Sequence, residues 1–193
     1  SSLLAPPSPF ILFAQTAERI GATTKRLEKA AILGEYFATL NDADLLVAAR
    51  YFAGYLFSLR DQRTANIGGA ALHRAIVAVS GADENWLSTR FVQLGDAGDA
   101  AWDAWQNSTQ VLVESRLLLG DIAKAIEELA ATAGSKRKLE QVTALLQRAT
   151  ALEAKYIVKL LQGDLRIGLR EGAVEDALAR AAQVAVGEIQ RCN

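Results

Sequence analysis

Residues 150–181 read TALEAKYIVKLLQGDLRIGLREGAVEDALARA, and the parsing of this stretch decides the fold. Thr150 and Glu153 stand three apart before an apolar run. That is the spacing of a capping box, in which each side chain accepts from the other's backbone amide. A helix is therefore predicted from Ala151 to about Leu161, ending before Gly163. Between Gly163 and Arg170, the aliphatic Leu165, Ile167 and Leu169 alternate with Arg166, Gly168 and Arg170. A compact extended turn would point the aliphatic residues inward and leave the arginines and Gly168 outside. A last helix is predicted from about Gly172 to Cys192.

The same reading extends upstream. Pro6, Pro7 and Pro9 are the only prolines, so no helix breaker of that kind follows residue 9. Alanine and leucine, both strong helix formers, are abundant, and strict period-2 alternation is almost absent. Glycines and capping residues divide the chain into about ten helices. The first runs from Phe10 to Ile20 and stops at Gly21. Thr23 or Thr24 caps a second to about Leu40, with Leu27, Ala31, Leu33, Phe37 and Leu40 on one broad face. Asn41 or Asp42 caps a third to about Leu56, and residues 57–67 form a polar loop. Gly68-Gly69 leads into a helix closed by Gly81 after Ser80. Asp83 starts another that Gly95 ends, and Asp96 or Asp99 starts a short one bearing Trp102 and Trp105. After a loop near Asn107, Asp121 begins a helix to about Ala133, and Gly134-Ser135 separates it from Lys136–Ala149. The expected fold is all-α: a flexible proline-rich segment over residues 1–9, then one compact domain over residues 10–193. No repeat and no interior linker is evident.

At 193 residues and 51% hydrophobic, the chain can bury a core without staples. No apolar run reaches the length of a membrane span, so no membrane partner is expected. The single cysteine, Cys192, excludes an internal disulfide, and the single histidine, His73, excludes a multi-histidine metal site. Ser1-Ser2-Leu3-Leu4 lacks the basic flank of a signal peptide, and with no methionine the chain reads as a processed or cloned fragment. A reduced, cytoplasmic setting and a monomer are expected. Net charge is −1, but unevenly spread. Residues 1–133 carry 11 Lys and Arg against 15 Asp and Glu; residues 134–193 carry 10 against 7. The C-terminal third is where an anionic ligand should be sought.

Three glycine-led turns could hold one. In the 163–170 segment a backbone pinned by aliphatic side chains, with Gly168 at its crest, can approach a phosphate closely. Arg166 and Arg170 supply charge and donors. The next helix start adds unpaired amides within three residues. On spacing alone, an ordinary helix–turn–helix connection with solvated arginines carries equal weight. In Gly134-Ser135-Lys136-Arg137-Lys138, glycine frees the entry and Ser135 caps. Three cations at a helix N-terminus oppose the dipole and suggest an anion that offsets them. For that stretch alone a solvated basic turn has somewhat more weight. Gly68-Gly69, preceded by Arg60 and Arg63, is weaker still. His73 reads as a surface or packed residue, and Trp86, Trp102 and Trp105 as packing residues. Glu127-Glu128 and Glu175-Asp176 lie on helix surfaces with no base or acid partner. There is no Walker A loop and no GxGxxG. No catalytic residue and no metal site is expected, and the chain reads as a non-catalytic helical module with several phosphate sites.

GSKRKLEQVTALL (134–146), ATALEAKYIVK (149–159) and GDLRIGLREG (163–172) closely resemble the N-terminal DNA-binding domain of ATP-dependent DNA ligases. NIGGAAL (66–72) and LGDAGDA (94–100) look like that family's weaker landmarks, in the same order. The resemblance covers most of the chain from about residue 18. It implies an all-α domain that precedes an adenylation domain and an OB-fold domain. Such a domain grips nicked duplex DNA across the minor groove, through backbone phosphates and without sequence preference, and helps the other two close round it. The resemblance also implies a parent enzyme of DNA replication, repair and recombination, at the bacterial or archaeal nucleoid. With ATP and Mg²⁺ it would join a 5′-phosphate to a 3′-hydroxyl by way of a lysyl-AMP. The adenylated lysine lies in a Lys-x-Asp-Gly motif that this sequence lacks, so no cofactor binding and no ligation is expected of this chain alone. Carried over, the clamp falls on Gly163, Arg166, Gly168 and Arg170, with Leu165 as support. The basic helix start falls on Gly134, Ser135, Lys136 and Lys138, and the remaining start on Gly68 and Gly69. The near-zero net charge departs from expectation, and tight gripping is expected to need the other domains. The rival reading is a helical protein-interaction scaffold of DNA repair or replication.

Overall fold

The computed structural model describes residues 5–58, 60–110 and 113–192, and among them ten helices follow one another, with longer connections only between the third and fourth and between the sixth and seventh. They are α1 (Phe10–Gly21), α2 (Arg26–Ala38), α3 (Asp42–Phe52), α4 (Gly69–Ser80), α5 (Glu84–Leu94), α6 (Ala97–Gln106), α7 (Leu119–Ala131), α8 (Ser135–Leu146), α9 (Ala151–Gln162) and α10 (Glu171–Cys192). No strand occurs among the described residues, only an isolated bridge between Pro9 and Leu118. No helix among them is long and apolar enough to cross a membrane.

Four helices begin where a cap side chain accepts an orphan amide. Thr150 Oγ1 accepts from the Glu153 amide at 3.4 Å, and the Glu153 carboxylate accepts from the Thr150 amide at 3.0 Å, completing the expected capping box. Asn41, Asp83 and Asp96 cap α3, α5 and α6 in the same way. Four local expectations are corrected. Neither Thr23 nor Thr24 caps α2: Lys25 holds that position, and the Thr23 hydroxyl donates to Glu28. Helix α3 ends at Phe52 because the chain turns at Gly54, where φ is 95°. Asp121 lies inside α7 and reaches back to the Leu118 amide at 2.8 Å. Ser135 is the first residue of α8 rather than its cap, because Gly134, at φ 94°, makes the turn into the helix.

Residues 1–4 of the proline-rich segment lie outside the described residues. Residues 5–9 are attached rather than free. The Ser8 amide donates to Asp44 at 2.8 Å, and the Leu119 amide donates to the Ser8 carbonyl at 2.9 Å.

The core follows from these starts. Helix α9 buries Ala154 and every residue from Tyr156 to Leu161, and packs on α6 and α1. Helix α10 lies along α2, and α4 along α8. Phe10, Phe13, Tyr36, Phe37, Tyr51 and Phe52 meet where α1, α2 and α3 converge, with the Phe13 and Phe52 ring centroids 4.4 Å apart. Helices α6 and α9 touch through Gly98, where a Cβ would lie 2.5 Å from Lys159 Cγ and 2.6 Å from the Lys155 carbonyl. Trp105 is buried and donates from Nε1 to the Ala149 carbonyl at 3.0 Å.

Candidate nucleic-acid interface

The segment between α9 and α10 is a built turn. Asp164 accepts from the Arg166 amide at 2.8 Å, and Arg166 sits at φ 52°, a region costly to any residue with a Cβ. Leu165 and Ile167 are 7% and 6% exposed, while Arg166, Gly168 and Arg170 face solvent, so the alternation holds. Ile167 packs against Gly21 at the end of α1. From α2, Lys29 Nζ donates to the Ile167 carbonyl at 2.5 Å. The same ammonium lies 2.8 Å from where a Cβ on Gly168 would stand. With φ at 64°, that crest favours glycine.

Arg166 is oriented from a third direction. Its Nη1 donates to the Gly95 carbonyl at 2.5 Å, and its Nε lies 3.8 Å from Asp96 Oδ2, both at the α5–α6 corner. A guanidinium carries five donors, so this anchoring aims the group without exhausting it. Arg170 precedes α10 by one residue. Arg26 of α2 brings Nη2 to 3.5 Å from where a Cβ on Gly172 would stand, beside the α10 start.

At α8, Gly134, Ser135, Lys136 and Arg137 are exposed, and Lys138 is half-buried. Lys138 Nζ donates to the carbonyls of Ala65 and Asn66 at 3.1 and 3.4 Å. That bridge sets the α8 start beside the residues leading into α4 at Gly68 and Gly69. A Cβ on Gly68, Gly69, Gly134 or Gly163 would meet nothing within 4 Å, so all four backbones are open to approach. Ala65, Asn66 and Ile67 also line an open concavity of about 530 Å³ whose wall includes Gly163. Lys138 thus joins two of the glycine-led stretches near their helix starts, and the hollow that Ala65, Asn66 and Ile67 line reaches Gly163 at the edge of the third. Arg63, which precedes Gly68, is engaged otherwise. Its guanidinium is held by Asp61 and Glu127, each at 2.6 Å, and lies 4.8 Å over the Phe57 ring, tying the loop to α7.

Beneath the clamp runs a charge network. Lys159 Nζ meets Asp96 at 2.7 Å and Asp99 at 3.4 Å; Lys155 meets Glu18 at 3.0 Å and Asp99 at 3.6 Å; the Tyr156 hydroxyl donates to Glu18 at 2.6 Å. Burial pushes the Asp96 carboxyl up, but the Lys159 ammonium and the Asp99 and Gly98 amides outweigh it and hold it below the usual range. Glu18 is lowered by the same balance: burial raises it, and Tyr156 and Lys155 prevail. These acids are therefore ionised and matched by buried or half-buried lysines. Among the described residues Arg26, Lys136, Arg137 and Arg170 form no ion pair, and all are exposed.

Sequence reading missed Arg26 and Lys29. The signal for Lys29 was present: it stands three and four residues before Ile32 and Leu33, on the buried stripe of α2. His73 is packed as read, its ring 5.4 Å from that of Phe91 and its Nε2 3.1 Å from Ser88 Oγ. Among the described residues no three His, Cys, Asp or Glu side chains converge to hold a metal ion.

Fold and site together define an all-α domain in which Lys138 joins the α8 start to the residues before α4, with a third glycine-led turn between α9 and α10. The chain belongs to the family described as DNA ligase N terminus, whose model matches residues 9–179. It is 36% identical over 182 residues to a probable DNA ligase of Koribacter versatilis, covering 94% of this chain and 31% of that protein. Against a probable DNA ligase of Opitutus terrae it is 33% identical, covering 93% and 21%. Against the DNA ligase of Methanopyrus kandleri it is 28% identical, covering 93% and 33%. The chain thus spans a third or less of the length of these relatives.

Proposed function

We propose that this chain grips nicked duplex DNA from the minor-groove side, through backbone phosphates and without reading sequence, as the N-terminal domain of an ATP-dependent DNA ligase. The observation that carries the reading is the joining of the α8 start to the residues before α4 by Lys138, with Gly163 across the hollow that Ala65, Asn66 and Ile67 line. Open backbone at helix starts offers amides to phosphate oxygens, and the dipole favours the negative charge. Arg166, Arg170, Lys136 and Lys138 supply the cationic share. Contacts of this kind set position but carry no base information, which suits an enzyme that acts at any nick.

On this reading the parent enzyme seals 5′-phosphate/3′-hydroxyl nicks at the nucleoid, with an adenylation domain and an OB-fold domain completing the grip. Lys-x-Asp-Gly is absent from the sequence, so ATP and Mg²⁺ are assigned to the parent enzyme and not to this chain. No chemical step is assigned to it.

The test is a low-salt titration of the chain with nicked and intact duplexes of unrelated sequence. Binding that is indifferent to sequence and falls steeply with salt supports the reading. No duplex affinity at low salt, with partner binding that ignores ionic strength, replaces it with the scaffold reading.

A further inference from the structure

Lys29 is an unusual residue to find under a surface turn. It is only 9% exposed, it lies on the core-facing stripe of α2, and among the described residues no carboxylate pairs with it. Its one hydrogen-bond partner among those residues is the Ile167 carbonyl. An ammonium has three donors, and taking it from water without a counter-charge is expensive. A single carbonyl offsets little of that cost. The other buried lysine, Lys159, has two carboxylates within 4 Å.

The position of the ammonium explains what could complete it. Nζ lies 2.8 Å from the point where a Gly168 side chain would begin. The ammonium therefore fills the space that a side chain on Gly168 would take, and this window in the turn lies next to exposed backbone. Arg166 and Arg170 flank that window, and the α10 amides follow it.

We propose that Lys29 is a phosphate-binding residue, holding from behind the glycine crest the negative charge of a DNA phosphodiester seated on Gly168. This rests on the DNA-gripping reading above and adds to it a buried cation, from a helix distant in sequence, that completes the seat. A lysine that served only as a strut for the Ile167 carbonyl would make the opposite demand on stability.

The experiment compares the chain with Lys29→Met, which preserves volume and removes the charge. Thermal unfolding is followed alongside fluorescence titration with nicked duplex over a salt series. The expected result is an unfolding temperature equal to or above that of the wild type, because an uncompensated buried charge is gone. Duplex affinity falls by about tenfold, the scale of one charge-assisted hydrogen bond. The slope of log affinity against log salt falls by about one. Lower thermal stability with an unchanged salt slope makes Lys29 a strut and overturns the proposal. In the wild-type chain, the Lys29 ammonium resonance is expected to shift when nicked duplex is added, and no shift overturns the proposal even if the variant fails to fold. A wild-type chain with no duplex affinity removes the DNA reading itself. Wild-type binding with an unaffected, folded Lys29→Met removes only the role of Lys29.

Discussion

Arg166 shows how much one residue of this surface is controlled by its neighbours. Its backbone is held in the left-handed region by Asp164, and its guanidinium is aimed by the Gly95 carbonyl. Removing charge at Arg166 or at Lys136, as Arg166→Ala or Lys136→Ala, is expected to weaken duplex binding equally for all sequences. Each should lower the steepness of the salt dependence by about one, as read by titration over a salt series. Unchanged affinity in both variants would remove the site assignment. Asp96 carries a pH dependence of definite sign. Its carboxyl is held below the ordinary value near 3.8, so it contributes stability in full above that value and loses it as pH falls through the lower folded value. Thermal melts from pH 7 to pH 3 should show that acid loss, and Asp96→Asn should flatten it. The clamp residues were legible because alternation and glycine placement are local. Lys29 and Arg26 were not connected to it, because nothing near residues 26–29 mentions residue 168.

At the scale of elements, the helix starts divide by how far their determinants reach. The capping box of α9 needs only two side chains three residues apart, and Thr150→Ala should cost about 1 kcal/mol of unfolding free energy in a denaturant titration. Ser135 and Asp121 were misplaced because a cap is defined by backbone angles. Where Gly134 turns the chain, the next hydroxyl is already helical. Gly98 lies at the other extreme. In sequence it lies within the weaker landmark LGDAGDA (94–100), but neither periodicity nor capping assigns it a contact. In the fold it is where α6 meets α9, and Gly98→Ala is expected to cost about 1–3 kcal/mol by forcing the two helices apart. A neutral Gly98→Ala in the same titration would show that the crossing can relax.

At the scale of the whole molecule, the proposed grip sets glycine-led starts distant in sequence on one duplex. Arg166, Arg170, Lys136 and Lys138, each neutralising one phosphate, predict a slope of about 3 to 4 for log affinity against log salt. Affinity for unrelated sequences should agree within about threefold, because phosphate contacts do not read bases. A slope near zero would mean that the hollow and its rim do not meet DNA together. Net charge hides this surface. Acids under the clamp are matched by Lys155 and Lys159, leaving Lys136, Arg137, Arg170 and Arg26 outside without ion pairs among the described residues.

By itself the amino-acid sequence determined the all-α class, most helix limits, the capping box and the basic glycine turns. Those features depend on periodicity, breakers and caps within a few residues. Only the tertiary structure decided that Lys138 meets the Ala65 carbonyl, that Arg166 rests on Gly95, and that a buried ammonium stands beside Gly168. These contacts join residues 71, 73 and 138 positions apart, and they exist only once helix packing brings those residues together.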